Sequence, residues 1–375
     1  MDVSTVPVQP ARLISEGMTN ETIGVGIIGA GPGWATDAHF PALGALPSYR
    51  VVALSTTKQA SADAAARRWG VPHAFDHHEP LITHPDVELV VVSVQARQHG
   101  PLVRAAIAAG KHVLCEWPVG PTLAETTELA ALARARGVVA VTTLQRRFAP
   151  AVRGLRTLLD EGFVGTLRSV TVHVALPILG ARRSAAWAST ADITTGANTL
   201  HSVTPHMLDP LVAVVGEPTS FSALVARQFD QTTLEETGEV IPVTAPDQAA
   251  VIGTLSGGAI LSVRVEAGKR SGGGVTWTFT GTEGDIELRS DFSLHGARGD
   301  HQPLAPLPAA EPWLPRGELS GDAHEIAHVY LGLAPALRGG ALDPLVRTLD
   351  DAVHIRQLME AFLEASTTGR RISWR

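Results

Sequence analysis

A chain of 375 residues with 45% hydrophobic content holds enough apolar material for two or three domains with proper cores. A formal charge of −7, with basic residues grouped no further than pairs such as Arg146-Arg147 and Arg182-Arg183, argues against a sequence-independent grip on nucleic acid or an acidic membrane. The single cysteine, Cys115, excludes an intramolecular disulfide and suits a reducing cytosol. The opening MDVSTVPVQP shows no signal-peptide pattern and no apolar run reaches bilayer length, so the expected location is cytoplasmic.

Residues 1–22 are polar and aperiodic and read as a loose tail. GVGIIGAG then reads as a short buried strand entering a glycine turn, followed by a periodic stretch from Trp34 to about Leu46. RVVALST is a second strand and ASADAAARRWG a helix ended by glycine. VELVVVSV is continuously apolar, as expected of a parallel strand covered on both faces. QHGPLVRAAIAAG and LAETTELAALARARG read as helices, KHVLCEWP and VVAVTTLQ as strands. This alternation predicts a doubly wound α/β Rossmann domain over residues 23–145.

The remaining residues, 146–375, read as one α+β domain for substrate and oligomer contacts. RSVTVHVAL, TSFSALVAR, AAVIGTLSG, AILSVRVEAG, GVTWTFTGT and GDIELRS predict a large, mostly antiparallel, open-faced sheet. Residues 298–320, rich in proline and glycine, read as a long loop, and helices are expected at roughly 322–338 and 344–366. An open sheet face of this kind predicts a homodimer or homotetramer.

Gly29-Ala30-Gly31-Pro32-Gly33-Trp34 follows a strand and precedes a helix. Such a turn brings backbone N–H groups to a pyrophosphate at a helix N-terminus, which makes Gly29, Gly31, Gly33 and Trp34 candidate dinucleotide contacts. After the second strand stand Ser55, Thr56, Thr57 and Lys58, with no carboxylate to hold a ribose 2′-hydroxyl. Hydroxyls beside a cation suit a 2′-phosphate, so NADP is favoured over NAD, with Ser55, Thr56 and Lys58 as its contacts.

Together with His39-Phe40-Pro41-Ala42, Val92-Ser93-Val94 leading to His99, Glu116-Trp117-Pro118 and the closing Thr368-Gly369-Arg370-Arg371, these motifs resemble the glucose–fructose oxidoreductase, inositol dehydrogenase and MocA family. Gly33-Trp34-Ala35, Glu116-Trp117, Leu144-Gln145 with Arg147, and Asp192-Ile193 ahead of His206 are similar to the branch containing the fungal galactose-regulon repressor. The resemblance implies a nicotinamide cofactor near Glu116 and Trp117, a sugar-like ligand and hydride transfer. The family's enzymes carry a Glu-Lys-Pro lysine and, later, an aspartate four residues before an acid/base histidine. Here Trp117 stands at the lysine position and, if His206 is that histidine, Ser202 stands at the aspartate position.

The catalytic candidates that remain are His206, able to exchange a proton near neutral pH, and Arg147, able to hold a substrate oxygen or carboxylate. Asp192 and Asn198 are candidate hydrogen-bond partners of a polyol. His324-Glu325-Ile326-Ala327-His328 matches a zinc-binding spelling, but with no third ligand evident it reads as a polar helix face, and no metal is expected. Three functions stay open: an NAD(P)-dependent oxidoreductase acting on sugars, polyols or related hydroxy and keto compounds; a non-catalytic dinucleotide and sugar sensor with a regulatory protein partner; and a redox-neutral lyase or glycosidase using bound NAD.

Overall fold

The computed structural model describes residues 22–310, 319 and 321–374. Residues 1–21 of the expected tail, and 311–318 and 320 of the expected loop, lie outside the described residues. The first half of the chain lays down β1 (Ile23–Ile28), α1 (Phe40–Gly44), β2 (Tyr49–Ser55), α2 (Gln59–Trp69), β3 (His73–Phe75), α3 (Glu79–Thr83), β4 (Leu89–Val92), α4 (His99–Ala108), β5 (His112–Cys115), α5 (Leu123–Arg136) and β6 (Ala140–Thr142). Local chemistry sets several limits. Thr122 caps α5 by accepting from the Glu125 N–H, and Gly70 and Gly137 end α2 and α5 in the left-handed region that glycine enters without strain.

The second half contributes α6 (Pro150–Asp160), β7 (Leu167–Ala175), β8 (Arg182–Arg183), α7 (Thr204–Val215), β9 (Pro218–Ala226), β10 (Gln231–Leu234), β11 (Val240–Pro242), β12 (Gln248–Leu255) and β13 (Ile260–Glu266). It continues with β14 (Gly274–Gly281), β15 (Gly284–Leu288), β16 (Leu294–Arg298), β17 (Ala305–Leu307), α8 (Gly321–Leu333), β18 (Arg347–Thr348), α9 (Leu349–Thr368) and β19 (Ile372–Ser373).

Two large sheets result. The first runs β18-β6-β5-β4-β1-β2-β3, parallel except for β18, with its order reversing at β1 and β4. That reversal opens a crevice beyond the carboxyl ends of the strands, where ligands of such folds sit. The second runs β17-β16-β15-β14-β7-β13-β12-β9-β19, antiparallel except where β7 meets β13. This is the Rossmann domain followed by a mostly antiparallel sheet domain that the alternation and the strand run predict.

The C-terminal helices tie the sheets together. Leu349, Ala352 and Ile355 of α9 join the core of the parallel sheet, whereas Leu358, Met359 and Phe362, further along the same helix, join the core under the antiparallel one. Helix α8 packs on the other side of the parallel sheet through Ile326, Tyr330 and Leu333. The other face of the nine-stranded sheet leaves Leu224, Ile252 and Ile260 exposed. Among the described residues no helix is long and apolar enough to cross a membrane.

Some expectations need correction. The stretch from Trp34 begins as a π-helix, Ala35–His39, before α1. The segment 298–320 contains β17, paired with β16. The helix expected at 322–338 ends as α8 at Leu333, and α9 starts later than expected, at a capping box of Thr348 and Asp351.

Candidate active site

The crevice floor begins at the glycine turn. Gly29 has φ +89°, and a Cβ there would lie 2.0 Å from the Ser93 carbonyl oxygen, so only glycine lets β1 turn so close to the loop after β4. Its N–H and that of Ala30 donate to the Ser55 carbonyl at 3.0 and 3.1 Å, which fixes the turn against the end of β2. Gly31 and Gly33 instead face open space: a Cβ on either would meet nothing within 4 Å. The Trp34 indole Nε1 and the Gln145 Oε1 are buried and find no hydrogen-bond partner among the described residues. A bare glycine cradle beside the unpaired indole donor of Trp34 fits a dinucleotide phosphate at this turn, whereas the Gln145 oxygen, an acceptor, would not serve one.

At the end of β2, Ser55 is buried, and its carbonyl serves the turn. Thr56 bonds the Ser61 hydroxyl at 2.6 Å and donates to the Lys58 carbonyl at 2.9 Å, while the Lys58 side chain is exposed at the start of α2.

A chain of hydrogen bonds crosses the carboxyl ends of β5 and β6. The Glu116 carboxylate accepts from His39 Nε2 at 2.7 Å and from the Thr143 hydroxyl at 2.8 Å. With that His39 nitrogen protonated, Nδ1 accepts from the Tyr330 hydroxyl at 2.8 Å. The Trp117 backbone N–H donates to Thr143 Oγ1 at 3.3 Å, so every group along the chain is satisfied. Burial works to raise the Glu116 carboxyl, but the bonds from His39 and Thr143 hold it below the usual range.

Trp117 is buried, and its indole N–H donates to the His201 carbonyl at 2.8 Å. The indole therefore ties the strand end to the segment leading into α7, and offers no ammonium where the family lysine would stand. Ser202 lies half-buried on the π-helix, Thr199–Val203, that leads into α7.

His206 sits in the first turn of α7, partly exposed. Burial pushes its pKa down to about 4; Glu116 and Asp322 oppose this and Arg146 adds to it. A neutral imidazole at physiological pH is a proton acceptor.

The neighbouring arginines part company. Arg147, expected to hold a substrate oxygen, is instead buried and grips Asp209 with Nε and with Nη2, the latter at 2.9 Å. Arg347 takes the same carboxylate at 2.8 Å. A guanidinium locked to a buried carboxylate is a structural tie. Arg146 turns the other way, toward α8. Its guanidinium lies 3.1 Å from Asp322 and 3.1 Å from Glu325 of α8, and 5.0 Å from the centre of the Phe292 ring. Nothing in the sequence separates Arg146 from Arg147; only their tertiary partners do.

Asp192 and Asn198 are both committed to local caps. Exposed Asp192 accepts from the Thr194 N–H at 2.9 Å; buried Asn198 accepts from the Leu200 and His201 N–H groups, each at 3.1 Å. The H-E-x-x-H spelling falls on α8, where the polar residues His324, Glu325 and His328 are all buried. No group of three metal-ligating side chains forms among the described residues.

With a glycine cradle and a carboxylate–imidazole corner at the carboxyl ends of one parallel sheet, comparison with known proteins is informative. Residues 23–144 match the model of the GFO/IDH/MocA oxidoreductase family, NAD-binding Rossmann fold, and residues 150–290 match that of the Gal80p C-terminal domain. The first of these matches is confined to the parallel-sheet domain, which carries that family's NAD-binding pattern. Trans-1,2-dihydrobenzene-1,2-diol dehydrogenase of Bos taurus is 29% identical over 308 residues, 80% of this chain and 85% of the relative. A super-repressor mutant of Gal80p from Saccharomyces cerevisiae shares the fold at TM-score 0.83 and 21% identity, covering 94% of this chain and 98% of that one. Levoglucosan dehydrogenase, solved with NADH and L-sorbose, shares it at TM-score 0.79 and 21% identity, with the same coverage.

Proposed function

We propose that this chain is a member of the GFO/IDH/MocA family and an NAD(P)-dependent oxidoreductase acting on the CH–OH or keto carbon of a sugar, polyol or related compound. The reading rests on the partly exposed His206 imidazole on α7, whose charge Glu116 favours, and on Glu116 itself, which stands just past β5 of the sheet that carries the glycine turn. A bound nicotinamide would supply the redox partner for that carbon. His206 takes the hydroxyl proton in oxidation and returns it in reduction. Glu116, fixed by His39 and Thr143, lies close enough to oppose the lowering of the His206 pKa. Gly29, Gly31, Gly33 and Trp34 would hold the pyrophosphate, with Glu116 and Trp117 bordering the nicotinamide end.

NADP is the proposed form of the cofactor. The exposed Lys58 ammonium and the Thr56 hydroxyl stand at the end of β2 without a carboxylate among residues 55–58, which favours a 2′-phosphate. A homodimer or homotetramer is proposed through the open sheet face, where Leu224, Ile252 and Ile260 leave apolar area uncovered.

A second reading has its own support. With the lysine position filled by a buried tryptophan, the corner suits a dinucleotide sensor that binds without turnover and signals through a protein partner. The test is to incubate purified protein with NADP or NAD and a panel of sugars, polyols and hydroxy acids, following absorbance of reduced nicotinamide. Turnover on an alcohol supports the oxidoreductase; silence across the panel, with cofactor binding demonstrated in the same samples, supports the sensor.

A further inference from the structure

The loop after β5 carries Trp117 into the lysine position, and three separate parts of the chain grip it. The Trp117 indole N–H donates to the His201 carbonyl at 2.8 Å, and the Pro118 carbonyl lies 2.7 Å from His99 Nδ1. Arg356 of α9 donates through Nη2 to the Pro121 carbonyl at 2.8 Å. Gly196, at φ +68°, comes so near that a Cβ there would lie 2.5 Å from the Pro121 Cα.

Two of these grips are joined behind the loop. Glu360, one turn after Arg356 on α9, brings Oε1 to 3.5 Å from Arg356 Nη2 and 3.6 Å from His201 Nε2. Asn198 sets that imidazole. Its Oδ1 accepts from the Leu200 and His201 N–H groups, so its Nδ2 is left to donate to His201 Nδ1 at 3.2 Å. A neutral His201 then carries its proton on Nε2, facing Glu360. Loop, arginine, glutamate, histidine and indole close a ring between the parallel-sheet domain, the segment before α7, and α9. The ring leaves donors unmet: Arg356 is 2% exposed, yet its Nε and Nη1 have no hydrogen-bond partner among the described residues, nor has His201 Nε2. Buried unsatisfied donors cost stability, and violations of this kind gather at functional sites.

We infer that Arg356, Glu360 and His201 are positioning residues, which clamp Trp117 to the π-helix Thr199–Val203 and so fix where the chain delivers His206 at the start of α7. The tryptophan in the lysine position then ties one domain to the other. The effect on turnover rests on the oxidoreductase reading above; the clamp itself does not.

The test reads the indole N–H signals in a proton–nitrogen NMR spectrum of the isotope-labelled, full-length protein. Trp117→Phe identifies the Trp117 signal among those of the seven tryptophans. Glu360 is half-exposed, so Glu360→Ala removes the link without opening the core. It should shift or broaden the Trp117 signal and leave the other indole signals in place, while Glu360→Gln, which keeps an oxygen there, should restore it toward wild type. With the alcohol that the wild type oxidises, Glu360→Ala should lower kcat about tenfold and leave the NADP dissociation constant within about twofold, since a displaced acid/base loses rate and not cofactor binding. An unchanged Trp117 signal in Glu360→Ala overturns the clamp. A moved signal with unchanged kcat confines the ring to packing and overturns its positioning role. A moved signal in a protein that oxidises nothing keeps the clamp and removes the oxidoreductase reading instead.

Discussion

The glycine turn and the His206 corner are built in contrasting ways. The turn is made of backbone: Gly29 is forced by the Ser93 carbonyl 2.0 Å from its missing Cβ, and the neighbouring N–H groups are fixed by Ser55. The corner is made of side chains from separate segments: His39 after the turn, Glu116 after β5, Thr143 and Arg146 after β6, His206 on α7, and Asp322 and Glu325 on α8. A backbone site tolerates wide sequence change as long as its glycines stay. A side-chain site can change its chemistry one residue at a time, as the tryptophan in the lysine position illustrates.

The largest effect that sharpens this contrast lies behind the corner. Replacing Arg147 with alanine leaves the buried Asp209 carboxylate with one guanidinium fewer. We expect a loss of about 3–5 kcal/mol in chemical unfolding, the usual result of breaking a buried pair from one side. If Arg147→Ala kept its stability and lost substrate affinity alone, Arg147 would return to the site and the separation from Arg146 would fail.

At the turn, Gly31→Ala adds a methyl group that meets no protein atom, so thermal unfolding should stay within about 0.5 kcal/mol of wild type. Cofactor affinity should nonetheless fall about tenfold, since the methyl group would occupy the space proposed for the phosphate. Unchanged affinity would mean that the cradle holds nothing.

A smaller change is expected at Lys58. Lys58→Ala should weaken NADP about fivefold and leave NAD within about twofold, because the exposed ammonium would meet only the 2′-phosphate. Equal weakening of both cofactors would argue against the 2′-phosphate assignment.

The subtlest expectation concerns pH. His206 is neutral in the folded protein down to about 4, against an ordinary 6.5, so between those values the unfolded chain binds the extra proton. Its contribution to stability is complete above pH 6.5 and is lost as pH falls toward 4. Urea unfolding of His206→Ala should show a shallower loss over that window than wild type. Equal slopes would show that His206 is solvated and not pressed into the corner.

The sequence exposed the backbone site more readily than the side-chain site, for physical reasons. Continuous apolar runs such as LVVV in β4, and glycines at the ends of helices, are local signals that survive in any context. Helix α7 carries no such signal, because Pro205 and Pro210 fall within it; it forms as Leu208 and Leu211 bury against the sheet core. Arg146 and Arg147 lie on one turn of 3₁₀-helix, where successive side chains point about a third of a turn apart. Which of them is drawn into the interior is decided by Asp209, sixty-two residues from Arg147. Asp192 and Asn198 look like ligands in a sequence because cap residues and ligand residues are the same polar types.

The most direct measurement is a paired one on His206→Ala: the dissociation constant for NADP, and turnover of whichever alcohol the wild type oxidises. Cofactor affinity within about twofold of wild type, with turnover reduced by about a hundredfold or more, is the expected result, since a positioned acid/base contributes at least that much. Turnover that survives in the variant would contradict the account, and would move the proton transfer away from the corner that holds Glu116.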